Sequence, residues 1–553
     1  MRNFLNRMSV VLLLLLLIPA FTFAGGGAEK KTTGEKSRFV VGWTADQSIE
    51  HLKPDEGWDY TSMGTTFFPL AYDQLWILGP APDYKVIPRL ATSWESEDGY
   101  TWTFHLRKDA TFHDGHPVTA KDVAFTIEYL VEASEAWAYS DIVSEEGSVK
   151  VIDDYTVQFT LEVGMNGPYP PMGFKPILPE HIWEDYTDDM MAFDNDPLIG
   201  GGPFKVKEFK AGEYLLLEAF DDYYAGRPEA DEVLFRIFGN RESMSMALKR
   251  GEIHMLGRGA SIVAALDLAK DENIEVIRTK GETSWALGFN LHNETPIQDL
   301  EVRKALMYAI DRQRIVDIAY LGYAEIVDTT FTYPEMPEHN PDLPQFEYNP
   351  QKAMSILQAA GYVDSDGDGI RNDPDTGKNL VFELLLPGDW TDEVKAGTLM
   401  TEMLPKVGIA LDLKTVDEDT YYTFTEDEVE EDKYEICFIE SGPSPYGDWI
   451  WETVRSSGLE EDEEGGWNQN YYINPEVDEL IDEMLVEADT EKKYALHREI
   501  QAILAEDLPM GSLVRPDVLA PVRTDEWEGY TPAMGGISSW INSWSMINAR
   551  LRD

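Results

Sequence analysis

Cysteine is nearly absent from this sequence: Cys437 is the only one among 553 residues, which excludes an intramolecular disulfide. Histidine is also scarce, with nine residues and no H-x-x-x-H pair, so the sequence gives no support to a catalytic zinc site. A G-x-S-x-G motif, the mark of the α/β-hydrolase nucleophile, is missing as well. These absences argue against an enzyme.

Basic residues are few, because 45 Lys and Arg stand against 102 Asp and Glu, and the formal net charge is −57 at pH 7. Such a charge excludes nucleic acid as a partner. Any two carboxylates chosen as a glycosidase pair would carry no weight among so many. With 43% hydrophobic and 12% aromatic residues, the chain is nevertheless predicted to be globular, with a well-solvated acidic surface.

Long apolar runs are limited to the first residues, where Arg2 and Arg7 precede an apolar stretch from Val10 to Pro19. This pattern predicts a Sec signal peptide over residues 1–24, cleaved after Ala24. No cysteine lies near the predicted cleavage point, so we expect a periplasmic or extracellular protein that is not a lipoprotein. An uncleaved membrane anchor is the alternative.

Several local patterns predict regular structure. Trp102, Phe104 and Leu106 alternate with polar residues, which is typical of a half-buried strand. Asparagine followed by proline at positions 349–350 and 474–475 is good chemistry for the first turn of a helix. An apolar stripe of helical period is formed by Val302, Ala305, Leu306, Ala309 and Ile310, and its expected role is core packing.

Three consecutive segments, Ala91–Trp94, Tyr100–Ala110 and Phe112–Val123, closely resemble the signature of the family 5 extracellular solute-binding proteins. The resemblance continues in order along the rest of the chain. It includes residues 201–204, 221–228, 233–236, 299–312, 348–353 and 474–477. Proteins of this family are receptor subunits of ABC importers for oligopeptides, dipeptides or nickel, and some relatives bind oligosaccharides.

The resemblance implies an α/β periplasmic binding protein fold, with two lobes hinged around a cleft and an extra domain inserted in the first lobe. The implied boundaries are residues 25–37 for a linker, 38–70, 191–283 and 521–553 for lobe I, 71–190 for the inserted domain and 284–520 for lobe II. Hinge strands would lie near residues 285–290 and 512–522.

The implied function is ligand capture in the interlobe cleft, followed by closure and delivery to the ABC permease subunits. We expect an oligopeptide ligand, with an oligosaccharide as the alternative, a monomer, and no required cofactor. A secreted hydrolase is a remote alternative. A sensory receptor built on the same scaffold also stays open.

The segment 438–451 is the most informative one for the ligand. In oligopeptide receptors it supplies an aspartate for the peptide α-ammonium, and this aspartate falls at Pro445 here, while the accompanying tryptophan falls at Gly442. Asp448 could replace the missing carboxylate. Aromatic faces can stack on sugars and on apolar peptide side chains alike. The predicted ligand-binding residues are Trp43, Trp285, Trp390, Tyr446, Asp448, Trp449 and Trp451.

The segment Asp364–Asp375 fits the D-x-D-x-D-G pattern of a calcium loop. The predicted ligands are Asp364, Asp366, Asp368, the Ile370 carbonyl, Asn372 through water, and Asp375. Aspartate at position twelve instead of glutamate, preceded by Pro374, weakens the match, and an unmetallated acidic turn is the alternative. Either way we expect a structural role.

Three histidines, His105, His113 and His116, cluster in the sequence beside the Asp114–Gly115 turn. Because they fall within the family signature, we interpret them as turn and strand packing rather than as a transition-metal site.

Overall fold

The computed structural model describes most of the chain. The described residues are 36–45, 48–53, 62–80, 85–133, 147–161, 165, 170–172, 175–186, 193–292, 294–329, 331–427, 434–442, 451, 453–456, 468–533, 535–538 and 543–552. Among these, no helix combines the length and the apolar character needed to cross a membrane.

The strands, numbered in chain order, are β1 Arg38–Thr44, β2 Trp76–Leu78, β3 Val86–Pro88, β4 Ala91–Glu95, β5 Thr101–Leu106, β6 Val149–Asp153, β7 Thr156–Thr160, β8 Phe204–Lys210, β9 Tyr214–Ala219, β10 Glu232–Phe238, β11 Met255–Leu256, β12 Ile274–Lys280, β13 Ser284–Phe289, β14 Ala324–Ile326, β15 Val381–Pro387, β16 Ala410–Val416, β17 Ile436–Ser441, β18 Met510–Arg523, β19 Trp527–Glu528 and β20 Arg550–Leu551.

The α-helices are α1 Ser62–Ala71, α2 Ala120–Ala133, α3 Glu180–Trp183, α4 Arg241–Lys249, α5 Ile262–Leu268, α6 Leu300–Ala309, α7 Arg312–Ile318, α8 Pro350–Ala359, α9 Thr391–Met403, α10 Glu418–Tyr422, α11 Pro475–Val486, α12 Thr490–Asp507 and α13 Trp544–Ile547. Short 3₁₀ turns cover Glu184–Tyr186, Pro296–Gln298 and Leu404–Val407, and a π-helical turn covers Thr423–Asp427.

Twelve strands form one mixed sheet, in the order β16-β15-β17-β13-β18-β11-β1-β10-β9-β8, with β12 and β14 also paired to β18. The long strand β18 joins the two halves of this sheet. Its first part, residues 510–514, pairs with β13, and its last part, residues 517–523, pairs with β12. A separate four-stranded sheet, β4-β5-β7-β6, lies in the N-terminal part of the chain.

Strands β15 and β17 are covered on both faces, because alternate residues belong to two different hydrophobic cores. Leu384, Leu386 and Phe438 lie in one core, while Leu385 and Cys437 lie in the other. The sequence of a strand that is buried on both faces is a continuous apolar run, without the alternation of apolar and polar residues seen in half-buried strands. A third and larger core includes β1, β8–β10 and the four-stranded sheet.

Several local predictions are confirmed. In β5, Trp102, Phe104 and Leu106 are all buried, and the residues between them are partly exposed. The side chains of Asn349 and Asn474 each accept a hydrogen bond from a backbone amide in the first turn of their helix. The predicted apolar stripe of α6 is buried in the core. The boundaries of lobes, linker and inserted domain stay predictions.

Trp43 packs directly on the backbone of Gly257. A Cβ added at Gly257 would lie 2.0 Å from the Trp43 ring, and the ring is only 2% exposed, so it has no room to move. We expect Gly257→Ala to lower the free energy of unfolding by about 2 kcal/mol, because overpacking a filled core costs that much. Chemical denaturation measures it. Gly239→Ala is the control, because nothing lies within 4 Å of its added Cβ. Equal stability of the two variants would contradict the prediction.

Candidate functional site

Four aromatic side chains from distant parts of the chain meet beside strand β13. The ring centroids of Trp285 and Trp390 are 4.8 Å apart, and Trp390 and Tyr421 are 5.2 Å apart. Phe438 meets Trp285 edge-on at 5.8 Å. We call Trp285, Trp390, Tyr421 and Phe438 the aromatic cluster. Two of the predicted ligand-binding tryptophans, Trp285 and Trp390, are thus brought together.

The positions of these rings follow from the elements that carry them. Trp285 lies on β13 opposite Glu440 of β17, and the register of β13 with β18 shifts between Trp285 and Ala286. Trp390 follows the end of β15 and immediately precedes α9. Tyr421, on α10, donates a hydrogen bond from its hydroxyl to the Phe438 carbonyl at 2.5 Å. Both tryptophans are partly exposed, whereas Tyr421 and Phe438 are buried beneath them.

Two exposed carboxylates border the tryptophans. Trp390 Nε1 donates to Glu418 Oε1 at 3.3 Å, and Thr283 Oγ1 donates to Glu440 Oε1 at 2.6 Å. Within the described parts of the chain, neither carboxylate forms an ion pair with a lysine or arginine. Negative charge without a basic partner, next to exposed indole faces, is an arrangement that attracts cationic groups.

A third carboxylate, Glu393, is buried in the first turn of α9 and accepts a hydrogen bond from Tyr320 Oη at 2.8 Å. Burial raises the pKa of Glu393 above its ordinary value; the Tyr320 hydrogen bond opposes this, and the carboxylates of Asp392 and Glu440 add to the rise. Glu393 is therefore a third acidic group close to Glu440, and its burial favours the neutral form.

We expect Glu393→Gln to remove a pH-dependent loss of stability. The pKa of Glu393 is higher in the folded than in the unfolded state. Its contribution to the free energy of unfolding is therefore fully present at low pH and is lost as pH rises through the folded-state pKa. Glutamine keeps an acceptor for Tyr320 without the charge. As pH rises from about 4.5 to 8, the unchanged protein should therefore lose stability relative to the variant, measured as the difference between their free energies of unfolding. Denaturation across this range measures it, with the exposed Glu347→Gln as control. Parallel curves for Glu393→Gln and the unchanged protein would refute it.

The other predicted ligand-binding residues are not part of this cluster as described. Trp43 is buried and its ring lies 6.0 Å from that of Phe235. Trp451 is buried and stacks on Phe331 at 5.3 Å with an interplanar angle of 6°. Residues Tyr446, Asp448 and Trp449 lie outside the described residues. A direct role for each of these five residues stays a prediction.

The predicted calcium loop brings three carboxylates together. Asp364, Asp366 and Asp368 each present an oxygen within 4.8 Å of the others. Asp364 accepts backbone hydrogen bonds from Gly367 at 2.6 Å and Gly369 at 3.1 Å.

Among the remaining predicted ligands, Asn372 is engaged elsewhere, since its side chain accepts from Ser365 Oγ at 2.6 Å and donates to Asn379 Oδ1 at 2.7 Å. The amide of Ile370 donates to Asp368 Oδ1, and the amide of Asp375 donates to Asp373 Oδ1, both at 2.8 Å. Calcium binding by this loop stays a prediction.

Sequence reasoning missed Glu418, Glu440 and Tyr421. Their pairing with the tryptophans depends on strand register and helix placement, and two glutamates among 102 acidic residues carry no signal of their own. In segment 436–441, Glu440 is the one charged residue and follows four apolar residues; this was the one available sign for it, and the structure leaves Glu440 as the one exposed residue of the strand.

The sequence model of the bacterial extracellular solute-binding proteins, family 5, matches residues 85–456, a range that holds the whole aromatic cluster and more than half of the chain. The chain belongs to this family. As a family 5 protein it is a solute-binding protein with the family's α/β periplasmic binding protein fold, which confirms the fold class expected from the signature.

Relatives of known description match over most of their length. The oligopeptide-binding protein AppA of Bacillus subtilis is 29% identical over 441 residues, which are 76% of this chain and 77% of that protein. The dipeptide-binding protein of Escherichia coli is 26% identical over 484 residues, 81% of this chain and 84% of that protein.

Solved structures extend the similarity to nearly the whole chain. AppA from Bacillus subtilis in complex with a nonapeptide has a TM-score of 0.71 at 25% identity, covering 94% of this chain and all of that one. The periplasmic oligopeptide-binding protein of an oligopeptide ABC transporter from Thermotoga maritima has a TM-score of 0.79 at 21% identity, covering 93% of this chain and 99% of that one.

Proposed function

We propose that this family 5 protein is the substrate-binding subunit of an ABC importer and that it captures an oligopeptide at the aromatic cluster. The ligand would bind between two lobes, and closure of the lobes would present a shape that the permease recognises. No chemistry on the ligand is needed. The family membership and the names of the relatives support the receptor role.

The observation that carries the choice of ligand is the pair of carboxylates beside Trp285 and Trp390, Glu418 and Glu440, which have no lysine or arginine partner among the described residues. A peptide brings a positively charged α-ammonium, which can lie over an indole face and donate charge-assisted hydrogen bonds to Glu418 or Glu440. Apolar peptide side chains can pack on the same rings. A neutral oligosaccharide would use the rings but would leave both carboxylates without a charged partner, and the names of the relatives do not favour it.

We further propose that the protein acts as a monomer outside the cytoplasm, exported by a signal peptide at residues 1–24, without a lipid anchor, and that its direct partners are the peptide and the permease subunits. Family membership supports an extracytoplasmic location, since the family is one of extracellular solute-binding proteins. No cofactor is required for capture, and a calcium ion at Asp364–Asp375 would be structural.

A thermal-shift screen tests the proposed ligand. Chains of two to nine amino acids and α- and β-linked oligosaccharides are added separately, and a ligand that binds only the native state raises the melting temperature by mass action. We expect stabilisation by peptides and none by sugars. Stabilisation by sugars alone would overturn the choice of ligand, and turnover of a chromogenic hydrolase substrate would overturn the receptor role.

A further inference from the structure

We infer that Asp114, His116 and His181 form a binding site for a divalent transition-metal ion such as zinc. Asp114 and His116 lie on the turn between β5 and α2, whereas His181 lies on α3, more than sixty residues later in the chain. Each residue offers one ligand atom, and these three atoms all lie within 4.8 Å of one another.

The ligand atom of Asp114 already lies close to both imidazole nitrogens. Asp114 Oδ2 lies 2.7 Å from His181 Nε2 and 3.0 Å from His116 Nδ1. Ligand atoms of a tetrahedral zinc site, with bonds of roughly 2.0–2.1 Å, lie about 3.3 Å apart. A metal ion would therefore need the donors to separate by only a few tenths of an ångström.

The donor set selects the kind of ion. Two imidazole nitrogens and one carboxylate oxygen suit zinc, nickel or copper, whereas calcium and magnesium take oxygen ligands almost exclusively. The imidazole rings of His116 and His181 stack with their centroids 4.0 Å apart, and both nitrogens face the same carboxylate oxygen. A neutral imidazole can present a lone pair at either nitrogen, so these same atoms can bind an ion once the donors have separated by that small distance.

Buried aromatic side chains and a hydrogen bond hold the turn and helix α3, which carry the three ligands, in place. Trp183 of α3 is fully buried, and Phe112, just before the turn, is 1% exposed with its ring 5.8 Å from that of His181. The Glu180 amide at the start of α3 donates to Asp122 Oδ1 on α2 at 3.1 Å, which ties the two helices together. A preorganised set of ligands loses little entropy when it binds an ion.

Access and charge also favour a cation. The His116 side chain is 61% exposed and that of His181 29% exposed, so an ion can reach the site and water can complete its coordination. The neighbouring His113 is not part of it, because its ring nitrogens contact the Gly202 carbonyl at 3.0 Å and the Gly200 amide at 3.2 Å. The net charge of −57 raises the local concentration of cations.

Calorimetric titration of the chelator-treated full chain with zinc chloride tests the site, with visible spectra of the cobalt-loaded protein as a second readout. We expect one tight zinc ion and the intense bands of four-coordinate cobalt. His116→Gln and His181→Gln should each weaken zinc binding by at least about 100-fold, since even an outer-shell partner contributes 10- to 100-fold.

Two control variants exclude binding elsewhere. His105→Gln removes another partly exposed histidine, whose ring lies 3.9 Å from Glu95, and Asp366→Asn removes a carboxylate of the predicted calcium loop. Both should leave the tight zinc ion in place. The site is refuted by the absence of tight zinc binding, or by tight binding that survives in the His116→Gln, His181→Gln double variant.

Discussion

Replacing Arg515 by methionine is expected to lower the free energy of unfolding by about 3 kcal/mol. The Arg515 side chain is fully buried on β18, where the two halves of the main sheet join. Its Nε donates to the Gly281 carbonyl at 2.7 Å, and its Nη1 reaches Glu335 at 2.6 Å. The guanidinium also lies 3.5 Å above the Tyr333 ring.

Methionine fills a similar volume but loses every polar contact of the guanidinium. The Gly281 carbonyl is left without its donor, which costs about 1–3 kcal/mol for a buried group, and the cation–π contact contributes about 1 kcal/mol more. Glu335 is 44% exposed and can be rehydrated, so the loss stays at the lower end of the range for a broken buried pair.

Chemical denaturation measures this loss, and Arg550→Met is the matched control. Arg550 pairs with Glu528 at 2.9 Å, but both side chains are nearly half exposed, so its replacement should cost at most about 1 kcal/mol. Arg515→Lys keeps the charge without the planar fork and should recover only a minor part of the stability. If Arg515→Met lowers the free energy of unfolding no more than Arg550→Met does, the contacts of Arg515 on β18 do not stabilise the fold.

Trp390→Ala is expected to weaken peptide binding by about 100-fold, which corresponds to about 2.8 kcal/mol. The ring is partly exposed next to Trp285, and its Nε1 holds Glu418 in place, so its removal takes away a stacking surface and frees a carboxylate. Trp390→Phe keeps a ring without the N–H donor and should give an intermediate affinity. Titration calorimetry with a peptide identified by thermal shift measures the difference.

Trp94→Ala is the control for this prediction. Trp94 is also a partly exposed tryptophan, but it lies on β4 and packs on Phe104 with centroids 6.0 Å apart, in a different core. Its removal should lower stability and leave the affinity unchanged. Equal affinities of Trp390→Ala and the unchanged protein would place the ligand elsewhere.

The local structure was largely predictable because it depends on neighbours in sequence. The alternation at Trp102, Phe104 and Leu106 reports one buried face of β5, and an asparagine before a proline caps α8 and α11 wherever those helices pack. The family signature added the fold class, which the periodic spacing of apolar residues could not have given on its own.

The site was predictable only in part, because its residues meet through long-range packing. The sequence indicated Trp285 and Trp390 separately, but their contact depends on where β13 and the start of α9 lie in the sheet. His116 was interpreted as turn packing because it falls within the family signature, and no spacing rule connects it with His181, whose ring it contacts in the structure. Trp43 and Trp451 are buried, and composition alone does not show whether a tryptophan lies in the core or beside the ligand, so their role in binding stays a prediction.

The most direct test of the proposed function is titration calorimetry with one oligopeptide in two forms, one with a free α-ammonium and one N-acetylated. The carboxylates of Glu418 and Glu440 beside the exposed indoles predict tight binding of the free peptide and at least about tenfold weaker binding of the acetylated one. The double variant Glu418→Gln, Glu440→Gln should remove this preference. Equal binding of both forms by the unchanged protein, or binding of neither, would contradict capture of a peptide at this site.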